Sequence, residues 1–184
     1  LIDILSELFK KVQKNEIQEV IYLLQGRIAP FFEATEIGMA DKTVALALAR
    51  TYGSTKEKVL DFYHKLGDMG LVAGQLNKKQ GISNKQQVSV QEVYDTLLQI
   101  ANTKGEGTVE KRLVLFSELL KKVDSLSAKH LVRIPLGNTR LGIGDPTVLD
   151  GLALAVLGDK SKRKLLEKAY NETSDLGLIA KTLV

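Results

Sequence analysis

Hydrophobic positions along this chain recur with helical spacing, and no segment shows a sustained alternation of apolar and polar residues. A sheet therefore has little to be built from. The pattern predicts helices at about 1–14, 16–25, 42–51, 55–65, 69–76, 90–101, 109–122, 128–136, 146–157, 160–171 and 175–183. Start signals accompany several of them. Asn15 with Gln18, Ser54 with Glu57 and Ser89 with Glu92 stand at capping-box spacing, where the first side chain accepts from a free backbone N–H and the second reaches back. Proline is confined to Pro30, Pro135 and Pro146. The expected fold class is all-α, with about 11 helices.

Three blocks of this pattern occur twice, in the same order. Leu5 to Val12 (LSELFKKV) matches Phe116 to Val123 (FSELLKKV) at six of eight positions, at an offset of 111. Ile37 to Ala49 matches Leu141 to Ala153 at an offset of 104, with Gly, Asp, Thr, Val, Leu and Ala shared. Gly67 to Leu76 matches Ser174 to Leu183 at an offset of 107, with Asp, Gly, Leu, Ala and Leu shared. Collinear blocks of this kind point to an internal duplication. The expectation is two pseudo-symmetric helical lobes, about 1–76 and about 112–184, in one domain spanning 1–184. A connector of about 77–111 joins them, with a polar loop from Lys78 to Gln87 and one amphipathic helix from Val90 to Ala101.

Composition narrows the function classes. With 44% hydrophobic and 26% charged residues in 184, disorder is excluded as the main state. The absence of cysteine removes disulfide scaffolds, thiolate nucleophiles and iron-sulfur or zinc-ribbon sites, and two histidines cannot build a multi-histidine metal site. No metal is expected. Charges interrupt every apolar stretch well short of the roughly 18 residues of a membrane span, and the chain begins at Leu1, so it reads as a soluble, intracellular piece of a longer protein. The net charge of +4 permits a polyanionic partner without demonstrating one. It is carried by the second lobe at +4, against +1 for the connector and −1 for the first lobe. Lys160, Lys162, Arg163, Lys164 and Lys168 share one predicted helix and read chiefly as a solvated face.

The repeated middle block carries the candidate chemistry. In each copy a Gly-x-(Ala/Gly)-Asp turn leads into an apolar helix, with Asp41 or Asp145 expected at the N-cap and Thr43 or Thr147 in the first turn. A helix of that kind runs into the core and leaves its N-terminal N–H groups at the surface, where the macrodipole attracts anions. Gly38, Gly142 and Gly144 have no side chain to hold a phosphate away from the backbone. Arg27 precedes the first turn and Arg140 the second. The same glycines also serve tight turns and close helix packing, which is the alternative account of them. Lys104-Gly105-Glu106-Gly107-Thr108 is a third turn of this type, with Thr108 placed to cap a helix beginning at Val109.

These strings also carry a resemblance. YLLQGRIAPFFEATEIGMADKTVALALA (22–49), LGDMGLVA (66–73), VQEVYDTLLQIANTKGEGTVEKR (90–112), LVRIPLGNTRLGIGDPTVLDGLALA (131–155) and SDLGLIAKTL (174–183) resemble the N-terminal DNA-binding domain of ATP-dependent DNA ligases of the archaeal and eukaryotic type. The L-G-N-T-R-L-G-I-G-D run and the I-A-N-T-x-G-E-G-T connector are its most specific parts. What the resemblance implies is an all-helical domain that grips nicked duplex DNA through the minor groove, by phosphate and sugar contacts. Mapped residue by residue, it implies DNA-binding roles for Gly137, Asn138, Thr139, Arg140, Gly142 and Gly144, for Gly26, Arg27 and Gly38 in the matching turn, and for Lys104, Gly105, Gly107 and Thr108. Thr43 and Thr147 are added as first-turn residues of the two matched helices. Pro135 departs from the family pattern by interrupting the helix before the arginine loop.

Ligases of this resemblance need a Lys-x-Asp-Gly string for adenylation, and the nearest here is Val148-Leu149-Asp150-Gly151. No Gly-Lys dipeptide, Gly-x-Gly-x-x-Gly or Gly-x-Ser-x-Gly occurs either. The segment is therefore expected to be non-catalytic and free of cofactors, with ATP and magnesium used by catalytic domains beyond Val184. The implied location is cytoplasmic and nucleoid-associated in a prokaryote, or nuclear in a eukaryote. Gln25-x-x-Ile28-x-x-Phe31-Phe32 has the spacing of peptides that bind a sliding clamp, but stapling of the first lobe by these aromatics is the favoured account of it. The rival function is a helical-repeat module that holds a protein partner.

Overall fold

The computed structural model describes residues 1–81 and 88–184. The α-helices are α1 (Ile2–Lys11), α2 (Ile17–Leu24), α3 (Asp41–Thr51), α4 (Lys56–Leu66), α5 (Met69–Lys79), α6 (Val90–Asn102), α7 (Thr108–Lys121), α8 (Ser125–Arg133), α9 (Asp145–Leu157), α10 (Arg163–Thr173) and α11 (Leu176–Leu183). A 3-10 turn, Lys160–Lys162, precedes α10. The described residues contain no strand, and the all-α expectation holds. Of the polar loop expected from Lys78 to Gln87, the first two residues belong to α5 and residues 82–87 lie outside the described residues.

The caps depart from the sequence reading in part. Ser89 caps α6 as expected, accepting the Glu92 N–H at 3.1 Å. Thr55 rather than Ser54 caps α4, accepting from the Lys58 N–H at 3.3 Å. Asn15 caps nothing, because α2 starts after Glu16 and has no side-chain cap. α8 starts after Asp124, three residues earlier than expected, and its capping bond from the Ser127 N–H holds the Asp124 carboxyl below the usual range. The helix then ends at Arg133, before Pro135.

The chain forms two compact units, one of 1–35 with 140–184 and one of 36–139. These do not follow the sequence lobes of about 1–76 and 112–184. The first unit takes α1 and α2 from one half of the duplication with α9, α10 and α11 from the other, and the second takes α3, α4 and α5 with α6, α7 and α8. The partnerships nevertheless repeat. In the first unit α1 packs on α9 and α2 on α11; in the second α7, which carries the block matched to α1, packs on α3, which carries the block matched to α9, and α8 packs on α5. Each unit is thus assembled from the opening of one copy and the remainder of the other.

Matched residues fill matched places. Leu5 and Phe9 on α1 are buried in a core with Ile17, Ile21, Leu149, Leu152 and Leu176. Their counterparts Phe116 and Leu120 on α7 are buried with Val44, Leu48, Met69 and Val132 among the core residues of the second unit. The fall in offset from 111 to 104 gives the first copy seven more residues between its first and second blocks. That longer connection includes Phe31 and Phe32, which are 77% and 63% exposed.

The third block owes its Asp-x-Gly to a close approach. Asp68 caps α5 by accepting the Gly70 N–H at 2.8 Å, and the same carboxylate forms a buried ion pair with Arg133 of α8. Asp175 caps α11 by accepting the Leu178 N–H at 2.9 Å, and takes the Tyr22 hydroxyl of α2 at 2.9 Å. A Cβ at Gly70 would collide with the Lys129 carbonyl oxygen, and one at Gly177 would lie 2.6 Å from the Tyr22 ring. Each aspartate therefore starts its own helix and fastens another across it.

The two fastenings differ in charge, so their loss should differ in cost. Arg133→Ala leaves the Asp68 carboxylate buried without its partner and is expected to cost about 3–5 kcal/mol. Tyr22→Phe removes one donor from an aspartate that keeps the Leu178 N–H and should cost about 1–3 kcal/mol. Denaturant unfolding of both variants measures the difference; equal losses would contradict the role given to the buried charge.

Candidate nucleic-acid interface

In the first unit, α2 ends where the Gly26 N–H donates to Leu23 at 3.0 Å and the Arg27 N–H to Tyr22 at 2.9 Å, with Gly26 at φ +73°. This reversal sets Arg27 with its guanidinium 4.6 Å from the centre of the Phe31 ring. The turn into α9 follows a different rule from the one expected. Gly144 is the N-cap and Asp145 the first helical residue, with no side-chain cap. The Asp145 carboxylate is engaged elsewhere, accepting from Gln25 Nε2 at 2.7 Å and from the Tyr170 hydroxyl at 2.5 Å.

Asp145 thus ties the Gln25-Gly26-Arg27 turn and α10 to the start of α9. Its hydrogen bond pushes the Tyr170 hydroxyl up to about 12, assisted by burial and opposed by the positive charge of Arg27. Gly26 and Arg27 directly follow Gln25 in the chain, and Gly144 and half-buried Thr147 lie within two residues of Asp145, so all four stand next to the partners of this junction. Along the approach to it, Arg140 is exposed with φ +54°, and Gly142 is exposed with φ +65°. A Cβ at Gly142 would meet nothing within 4 Å, so its turn geometry, not packing, calls for glycine.

The second unit holds the other candidates. Gly38 has φ +70°, but the space beside it is filled: its carbonyl accepts from Arg112 Nη1 at 2.8 Å, and a Cβ would lie 2.6 Å from that nitrogen. Ala40, not Asp41, is the N-cap of α3, and half-buried Thr43 donates its N–H to Ala40 at 2.9 Å. Gly107, at φ +71°, is the N-cap of α7. Thr108 therefore does not cap a helix from Val109; it is the first helical residue, and its hydroxyl donates to the Gly105 carbonyl. Lys104, Gly105 and Gly107 are exposed. Gly137 and Asn138 are exposed too and Thr139 half-buried, after a turn in which the Asn138 N–H donates to Arg133 at 3.2 Å.

The helices behind the three glycine turns share a property. α3, α7 and α9 begin at Ala40, Gly107 and Gly144 without a side-chain acceptor, whereas Thr55, Asp68, Ser89, Asp124 and Asp175 close α4, α5, α6, α8 and α11. The α1, α2 and α10 starts are also uncapped, but no positive-φ glycine leads directly into them. First-turn N–H groups behind an open turn are suited to an anion.

Other candidates are drawn into structure. Arg163 pairs with Asp150 at 3.4 Å and with Glu167 at 2.7 Å, which takes it out of the basic run on α10. In the clamp-like string, Gln25 is bonded to Asp145 and Ile28 is 1% exposed, so only Phe31 and Phe32 are presented. Sequence reasoning missed Arg112, Asp145 as a junction, and Tyr170. Nothing local marks them, since their acceptors and donors come from 25 to 120 residues away for Asp145 and up to 74 for Arg112. Among the described residues no group of three or more His, Asp or Glu is placed to hold a metal ion. No described helix is long and apolar enough to cross a membrane.

The junction has a spectroscopic signature. A tyrosine whose folded pKa is raised contributes stability below its ordinary value of about 10, lost as pH rises through the folded value. Tyr170 should ionise near 12 in an ultraviolet titration, and Asp145→Asn should return it toward about 10. An unchanged titration in that variant would remove Asp145 as the cause.

Comparison with known proteins identifies a family for this chain. The family described as DNA ligase N terminus matches residues 1–153. A "Probable DNA ligase" from Dictyoglomus thermophilum is 40% identical over 181 residues, covering 98% of this chain and 30% of that protein. A "DNA ligase" from Nitrosopumilus maritimus is 40% identical over 181 residues (97% of this chain, 31% of that protein), and one from Saccharolobus islandicus is 40% identical over 191 residues (98% and 32%). The chain thus spans about a third of the length of the curated relatives it matches. An all-α chain with glycine-turned helix starts, matched by this family over most of its length, belongs to the DNA ligase N-terminus family.

Proposed function

We propose that this chain binds duplex DNA at a nick, through the minor groove and the sugar-phosphate backbone and without reading sequence, as the N-terminal domain of an ATP-dependent DNA ligase in replication and repair. The observation that carries the reading is the set of three glycine turns leading into helices without side-chain caps, in a chain of the DNA ligase N-terminus family. Backbone N–H groups and guanidinium groups bind phosphates at any sequence, as an enzyme that seals arbitrary breaks requires. The contacts assigned are Gly26, Arg27, Arg140, Gly142, Gly144 and Thr147 in the first unit. In the second they are Gly38, Thr43, Lys104, Gly105, Gly107, Thr108, Gly137, Asn138 and Thr139.

Adenylation, with its ATP and magnesium, is assigned to the rest of the protein, because no Lys-x-Asp-Gly string occurs in these 184 residues. Contact with ~4–6 phosphates gives a slope of log K against log salt of about −4 to −5. Titration of nicked duplex at several salt concentrations measures it, and a flat response would overturn the proposal. Arg140→Ala should weaken binding equally on different sequences and reduce the slope by about 1.

A protein partner is the second reading, favoured by the exposure of Phe31 and Phe32. If a sliding clamp takes these rings, Phe32→Ala lowers affinity for the clamp and leaves affinity for nicked duplex unchanged. A loss confined to the duplex would instead give the ring to DNA.

A further inference from the structure

Arg112 is half-buried at the start of α7 and holds two loops at once. Its Nε donates to the Ile100 carbonyl at 3.1 Å, Nη1 to Gly38 at 2.8 Å and Nη2 to Thr103 at 3.2 Å. Thr103 immediately precedes Lys104, so the guanidinium braces the Gly38 turn against the start of the Lys104 loop. A guanidinium carries five N–H donors, and three are used here, which leaves two.

The charge is as telling as the donors. Carbonyl oxygens satisfy N–H groups but supply no net negative charge. Among the described residues no carboxylate forms an ion pair with Arg112, whereas Arg50 pairs with Glu110, Arg133 with Asp68 and Arg163 with Asp150 and Glu167. Glu110, two residues before Arg112, is thereby engaged by another arginine. The unit as a whole is basic, with 15 Lys and Arg against 11 Asp and Glu over 36–139, while the other unit is balanced at 11 of each. A guanidinium that is partly withdrawn from water, permanently charged and fixed by three carbonyls is arranged before any anion arrives, so little ordering cost remains for binding one.

We infer that Arg112 is itself a phosphodiester-binding residue, presenting the remaining N–H groups of its braced guanidinium to a backbone phosphate of duplex DNA between the Gly38 turn and the Lys104 loop. The inference rests on the duplex-binding reading above and adds a contact to it. A planar fork matches two phosphate oxygens, which a lysine ammonium does not. It also gives Gly38 a second purpose: a side chain there would occupy the position of the guanidinium.

Nicked duplex titrated into the 184-residue chain at several salt concentrations tests this with wild type, Arg112→Gln and Arg112→Lys. Arg112→Gln should lower affinity about tenfold near 0.15 M salt and reduce the salt slope by about 1. Arg112→Lys should keep the wild-type slope and lose a few-fold in affinity, because an ammonium keeps the charge but not the fork. A wild-type slope in Arg112→Gln, whatever its affinity, would reduce Arg112 to a brace and overturn the inference. A flat slope in the wild type would instead sink the duplex reading itself. If Arg112→Gln does not fold, the Nε–Hε NMR signal of wild-type Arg112, identified by its absence in Arg112→Lys, reports directly. Its shift on adding nicked duplex supports the contact, and an unmoved signal overturns it.

Discussion

The architecture depends on a carboxylate that performs two tasks at one place. Asp68 and Asp175 each accept a first-turn N–H of their own helix, and each binds a side chain from a helix that crosses it, Arg133 in one unit and Tyr22 in the other. The crossing requires a glycine two residues on, because a Cβ at Gly70 or Gly177 would strike the crossing helix. Capping and crossing are coupled in this way: a helix that starts at the aspartate has its glycine face already turned to its partner. The apolar faces of α5 and α11 are then held against α8 and α2.

The other helix starts divide into those with a side-chain cap and those without. Where aspartate, serine or threonine supplies the cap, it engages one first-turn N–H group. At α3, α7 and α9 a glycine turn replaces the cap. Asp145, at the start of α9, is turned to Gln25 and Tyr170, whose neutral donors hold its carboxylate in place without cancelling its charge. Glu110, in the first turn of α7, is paired with Arg50. Asp145 and Glu110 are thus tied into the protein, whereas Asp41 in the first turn of α3 is exposed, as are basic groups such as Lys104 and Arg140.

Much of the local geometry at the candidate turns was legible because its signals are local. A Gly-x-(Ala/Gly)-Asp string before an apolar run predicts a turn and a helix start, and α3 and α9 begin within a residue of the expected place. Gly142 does adopt the left-handed conformation that its turn needs. The capping assignments were less secure, since Asp41 and Asp145 sit one position inside their helices and the candidates Ser54 and Asn15 are passed over. A cap turns on one backbone dihedral, which neighbouring polar residues supply almost equally well. Arg112 was not legible at all. Its acceptors lie at Gly38, Ile100 and Thr103, and only the folded chain brings the first of these within 2.8 Å of it.

The sequence by itself determined the helices, their order and the recurrence of three blocks, because apolar spacing and turn residues act over a few positions. Which copy packs on which was decided by the tertiary structure. Leu5 and Phe9 present nearly the same face as Phe116 and Leu120, so local pattern cannot distinguish α1 packing on α3 from α1 packing on α9. The fold chose the exchanged pairing, in which Gly151 of α9 comes so close to α1 that a Cβ there would lie 3.0 Å from Leu5. Duplicated faces are interchangeable as patterns but not as shapes, and only shape complementarity across the whole unit separates the two arrangements.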